Sequence, residues 1–258
     1  MRDKIILLIA LFCMSFTEQE LCLVDKLTII TTTSPIPSNP STEMLEITQR
    51  SLFMIPEFRG CKKIIVFDGV PAQQRYRSLA YYTFIRNVEK LVREDPYFYN
   101  TTLVINHDFK HLANSLREAI NIVDTPYIFV HQHDFSLIKK FDIANLVRSM
   151  DSNPNLKHIR LNKWVTASNW WDGEVDSVIV GGSLVPLTRI FGWSDNDHIS
   201  RTDYYRDFVF PKIPWNGAME WFLHDQPDIL RNHLLYGTYL YGSIGDGPYI
   251  LHLDGRSY

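Results

Sequence analysis

The chain has 258 residues, 45% of them hydrophobic and 21% charged, with a formal net charge of −3. That length can bury a substantial core, and these fractions exclude a disordered polymer. The slight acidic balance argues against a nucleic-acid binder, which carries a basic surplus, and the three cysteines (Cys13, Cys22, Cys61) have no metal spacing and support no disulfide framework.

Met1-Arg2-Asp3-Lys4 precedes an apolar run from Ile5 to Phe16, a basic start followed by a stretch too short for a comfortable transmembrane helix. Residues 1–24 are therefore expected to be a signal peptide or short signal anchor. That would send the protein to the secretory pathway, with any membrane association through the N-terminus only; without such a signal it would be cytoplasmic. Asn100-Thr101-Thr102 is a glycosylation sequon consistent with the secretory route. Residues 25–258 are expected to form a single domain.

Leu27–Thr33 is β-branched and ends at Ser34-Pro35, which predicts a strand and a turn. Ser41 or Thr42 can cap the helix that follows, whose apolar positions are Met44, Leu45, Ile47, Leu52 and Phe53. Lys63–Phe67 predicts a second strand, closed by Asp68-Gly69-Val70-Pro71. A helix is predicted over 73–93 with Leu79, Tyr82, Phe84, Ile85, Val88 and Leu91 on its apolar side. Thr102–Asn106 reads as a third strand and 111–123 as an amphipathic helix. Thr125-Pro126 then opens the apolar run Tyr127–Val130, a strand buried on both faces.

This alternation predicts an α/β fold with a mainly parallel sheet, right-handed crossovers and helices on both faces. Ligands in such sheets bind beyond the carboxyl ends of the strands. Two predicted strands end there in an acid, Asp68 and Asp134, the second after His131-Gln132-His133. A carboxylate flanked by imidazoles suits a divalent cation holding a phosphate-bearing substrate. No G-x-G-x-x-G follows the first strand and no G-x-x-x-x-G-K-[ST] occurs, so neither the dinucleotide fingerprint nor the P-loop is supported.

The second half is less regular. Phe141–Met150 reads as a helix, Lys157–Asn162 and Val178–Val180 as strands, and Asp195 and Asp197 lie in a loop before a predicted helix. Trp164, Trp171, Trp193, Tyr204, Tyr205, Trp215, Trp221 and Phe222 accompany the acids, Glu220 among them, a pattern suited to binding polar rings. The chain closes on Tyr239-Leu240-Tyr241-Gly242 and Leu251-His252-Leu253-Asp254-Gly255-Arg256.

The opening TTTSPIPSNPST, the strand end FDGVP, the run LANSLREAINIVDTPYIFVHQHD and the later WSDNDHISRTDYY and GTYLYG…HLDGR together resemble a nucleotide-sugar glycosyltransferase of the GT-A fold, in a family-2-like branch. The resemblance implies a Rossmann-like nucleotide-sugar half over 25–137 and an acceptor half over 138–258. It implies a UDP- or GDP-linked donor, a carbohydrate or glycoprotein acceptor, and Mn²⁺ or Mg²⁺. Thr32, Thr33, Ser34 and Asp68 would contact the nucleoside, and Gln132-His133-Asp134 would stand for the metal-binding D-x-D. Asp134 would reach the metal, with His252 as a further ligand and Arg256 as a phosphate partner. Asp197, or alternatively Asp195, would be the base of an inverting transfer. Gln132 departs from the pattern, in which an acid is usual. A catalytically inactive sugar- or nucleotide-binding protein is the alternative this departure raises.

Overall fold

The structure, a computed structural model, describes residues 23–167, 176–178, 183–214, 217–224, 229 and 231–253. Readings that fall on Cys13, Cys22, Trp171, residues 179–182, Trp215, residues 254–256 and the N-terminal signal up to residue 22 lie outside the described residues. Leu23 is buried in the core, so residues 23–24 already belong to the packed structure. Among the described residues, no helix is long and apolar enough to cross a membrane.

Among the described residues, nine strands make one sheet in the order β3-β2-β1-β4-β9-β6-β10-β8-β7. They are β1 (Leu27–Thr33), β2 (Lys62–Phe67), β3 (Thr101–Ile105), β4 (Tyr127–Gln132), β6 (His158–Arg160), β7 (Asp176–Val178), β8 (Leu187–Arg189), β9 (His198–Arg201) and β10 (Thr238–Tyr241). A separate antiparallel pair joins β5 (Phe135–Leu137) to β11 (Ile250–His252). The first four strands are parallel, as the alternation of strand and helix predicts. β9 and β8 run against the rest.

The helices are α1 (Glu43–Ser51), α2 (Ser78–Glu94), α3 (His111–Asn121), α4 (Ile143–Ser152), α5 (202–212, with a π turn at Tyr205–Val209), α6 (Met219–Leu223) and α7 (His233–Tyr236). β1 is buried along its whole length because both sheet faces are covered. Leu27 and Ile29 share one core with Leu146 and Met150 of α4, while Ile30 packs on the other face with Leu116 of α3 and Val209 of α5.

Two helix faces differ from the predicted ones. α2 buries Tyr81, Phe84, Ile85 and Val88, a coherent i, i+3, i+4, i+7 stripe, and leaves Leu79 and Tyr82 exposed. α1 turns Leu45 inward together with polar Thr48 and Gln49, and Ile47 faces out. The polar pair is consumed locally: Thr48 donates to the carbonyl of His133 at 2.9 Å and Gln49 to the hydroxyl of Thr31 at 2.8 Å. α1 therefore buttresses the ends of β1 and β4.

One insertion positions the site. β9 lies antiparallel between β4 and β6, so its N-terminal end sits beside the C-terminal end of β4, with Val130 opposite His198. The acids just before β9 thereby reach the sheet edge where β1, β2 and β4 end. The helix predicted directly after them is a strand, and helical structure begins only at Thr202.

Candidate active site

At this edge the loop 193–197 meets the end of β4. Asp197 is fully buried. Its Oδ2 accepts from Nδ1 of His131, and its Oδ1 accepts the backbone N–H of Gln132 at 2.9 Å. Burial pushes its carboxyl above the usual carboxylate range, opposed by the His131 beside it. With both oxygens engaged and no exposed surface, Asp197 braces β4 and does not meet a substrate hydroxyl.

Asp195 is different. It is half-buried, and its carboxyl faces that of Glu220, carried on the first turn of α6. Burial, and next the Glu220 charge, push Asp195 up to about 8. Oε1 of Glu220 accepts the Ser194 hydroxyl at 2.5 Å and the Asp195 backbone N–H at 3.2 Å, so it is the acceptor around which the loop folds. Two carboxyl groups this close keep a proton on Asp195 at neutral pH, the environment from which enzymes make general bases. In sequence, Glu220 stands 25 residues away and reads as an ordinary surface acid; only the fold supplies the partner.

On the β4 side, Gln132 is half-buried and its side-chain N–H donates to the Asp195 carbonyl at 2.9 Å. His133 closes onto β1: its backbone N–H and its Nδ1 both donate to the Thr32 carbonyl, at 3.1 and 3.0 Å. This fixes its tautomer and leaves a lone pair on Nε2, buried and without a protein partner. Desolvation lowers the His133 pKa, so the ring stays neutral and carries no N–H at Nε2. Such a lone pair suits a cation.

Oδ2 of Asp134 accepts from Nε2 of His252 at 3.0 Å, and its Oδ1 is buried with no hydrogen-bond partner. The β5–β11 pairing sets this contact by placing His252 opposite Phe135, and the Leu253 N–H donates to the Asp134 carbonyl at 2.8 Å. The C-terminal segment is thus brought to the end of β4, as the reading of His252 requires. Among the described residues, no group of three or more His, Cys, Asp or Glu side chains is set to enclose a metal ion.

Asp68 lies two strands from β4, about 10 Å at the usual strand spacing. Its Oδ1 accepts the N–H groups of Gly69 and Lys110, both at 2.8 Å, which pulls the segment after β3 across the end of β2. A Cβ on Gly69 would lie 2.1 Å from the Asp108 carbonyl carbon, so that crossing needs glycine. Thr33 spends its hydroxyl on the Val66 carbonyl at 3.3 Å, Thr32 is buried, and Ser34 alone of the three is exposed. Arg256 lies outside the described residues.

No family model matches the sequence, and no curated protein is similar to it at the sequence level. The fold is similar to that of solved glycosyltransferases. Over 87% of this chain it superposes on TarS from S. aureus with a TM-score of 0.52 at 12% identity, covering 36% of that chain. Over 89% it superposes on GalNAc-T7, solved with UDP, GalNAc and Mn²⁺, with a TM-score of 0.53 at 8% identity, covering 44% of that chain.

The fold is GT-A.

This chain spans less than half the length of those two and 59% of a shorter form of TarS, residues 1–349.

Proposed function

We propose that this chain transfers a sugar from a UDP- or GDP-linked donor to a hydroxyl of a glycan or glycoprotein, with inversion. The observation that carries this reading is the meeting of the Asp134–His252 corner and the Asp195–Glu220 pair at one sheet edge, linked through Gln132. Ser34 and the remaining acceptor capacity of Asp68 would contact the nucleoside.

The unpartnered carboxylate oxygen Oδ1 of Asp134 fits a hard divalent cation. Asp134 and His252 would hold Mn²⁺ or Mg²⁺, with the donor's phosphates filling the remaining positions. When bound, the cation neutralises charge on the diphosphate leaving group.

Asp195 acts as the general base. In its ionised form its carboxylate takes the proton of the acceptor hydroxyl while the acceptor oxygen bonds to the anomeric carbon. The bond from that carbon to the diphosphate breaks, and the nucleoside diphosphate leaves with the electron pair. Glu220 sets the basicity of Asp195, and Asp197 with His131 holds the loop to β4.

A screen of UDP-, GDP- and dTDP-sugars with Mn²⁺ tests the proposal. One donor should be turned over, and Asp134→Ala should lose nearly all of that turnover in a protein that still melts cooperatively.

A second reading is a non-catalytic sugar or nucleotide binder, favoured by Gln132 at a position where an acid is usual and by the lack of a ready three-residue cage. Calorimetric binding of a nucleotide, with no hydrolysis or transfer for any donor, would favour it.

A further inference from the structure

Loop 193–197 is held by its main-chain oxygens. Nδ1 of His224 donates to the Trp193 carbonyl at 2.7 Å, and Nε2 of His158 donates to that of Ser194 at 3.0 Å. The side-chain amide of Gln132 donates to the Asp195 carbonyl at 2.9 Å, and Nδ1 of His198 donates to that of Asn196 at 2.7 Å. The Leu161 backbone N–H donates to the Asp197 carbonyl at 2.8 Å. Five consecutive carbonyls are thus fixed from five directions. The one at Asp195 is held from the donor strand itself.

Gln132 grips the loop twice, because its own backbone N–H also binds Oδ1 of Asp197. Its side chain must present N–H, since the partner is a carbonyl oxygen. An aspartate or glutamate there could only accept. It would set an oxygen against the Asp195 carbonyl and add a negative charge beside two carboxyl groups.

We infer that Gln132 is a positioning residue for the base: it ties the end of the donor strand to Asp195, and a carboxylate at this position would break that tie. The inference rests on Asp195 as the base in the proposed reaction. The glutamine in place of the usual acid is then no sign of lost activity.

The groups facing the Asp195 carboxyl are Glu220 from α6, Gln132 from β4 and Tyr205 from α5. His158 and His198 below the loop are held neutral by burial, which leaves each with one N–H for its carbonyl. The Gln132 amide also reaches the Asp195 carboxyl and favours its ionised form, so its removal raises the pH at which the base loses its proton.

Gln132→Met keeps the length and removes the donor; Gln132→Glu keeps the shape and reverses the donor's role. Both should lower kcat, Gln132→Glu by about 100-fold, the cost typical of a small misplacement. In both, the rising limb of kcat against pH should move to higher pH, with half-saturation by Mn²⁺ little changed. A merely structural role would lower activity without moving that limb.

The same shift is readable without turnover, by ¹³C NMR titration of labelled Asp carboxyls, with Asp195→Asn assigning the signal. If no donor is turned over but the Asp195 signal still moves in Gln132→Met, the transferase reading fails and the tie stands. An unmoved Asp195 titration in a folded Gln132→Met protein overturns the inference. So does a Gln132→Glu enzyme that binds Mn²⁺ more tightly and turns over faster, since Gln132 would then be a substituted metal ligand.

Discussion

Asp195 and Glu220 are where burial and charge work together on one proton. As the proposed base, Asp195 is active when ionised, so kcat/KM should rise with pH up to about 8, following its raised pKa. Glu220→Gln removes the second-largest cause of that shift and should move the rising limb to lower pH. Asp195→Asn should cost at least about 100-fold in turnover, the lower range for a lost general base. Stability runs the other way. The folded state binds the Asp195 proton more tightly than the unfolded chain, so between about pH 4 and pH 8 the unfolded state has fewer protons and stability falls as pH rises. Asp195→Asn should flatten that decline in urea titrations across this range. The sequence pointed to two acids in this loop but not to which of them is buried. Asp197 and Asp195 differ by two positions in a loop of unreadable conformation, and the pairing with His131 depends on strand register.

Among the elements, those legible in the sequence are the ones whose burial is all-apolar. β1, β2 and β4 announce themselves as continuous hydrophobic or β-branched runs because helices cover both faces. β9 does not: His198, Ser200 and Arg201 read as polar, yet the strand is almost wholly buried, with His198 satisfied by Asn196 and Tyr205, Ser200 by Lys157 and Arg201 by the carbonyls of Leu156 and Met150. That hidden strand is the one that delivers the acids. α2 was legible as a helix but not in its facing, since Leu79 and Tyr82 are as apolar as the residues that pack. The difference is measurable. Phe84, 2% exposed and packed against Tyr81 and Phe67, should cost about 3–5 kcal/mol on Phe84→Ala. Leu79, 79% exposed, should change stability by less than about 0.5 kcal/mol on Leu79→Ala. Denaturant midpoints of the two variants compare them directly, and equal losses would refute this assignment of the helix face.

At the scale of the molecule, the first four strands and the strands of the second half share a single sheet, joined where β4 pairs with β9. The C-terminal strand β11 returns to β5 and brings His252 back to Asp134, so the proposed cation corner is closed by segments 118 residues apart. No local pattern could foretell that closure. The resemblance alone suggested it, and strand pairing is its physical means. Ligand binding at this corner should therefore stabilise the whole domain cooperatively. A nucleoside diphosphate supplies the phosphate oxygens that the protein lacks, and a cation supplies the charge that makes those phosphates tolerable beside Asp134. Mn²⁺ and UDP or GDP together should raise the melting temperature by more than the sum of their separate effects. At a concentration 100 times the dissociation constant, binding adds about 2.7 kcal/mol, or roughly 5–10 °C for a domain of this size. Asp134→Ala should abolish the joint increment, whereas Leu79→Ala should retain it. A shift of equal size with nucleotide alone, unchanged by EDTA, would mean that the phosphates are held without a cation, and Asp134 would lose its assigned part.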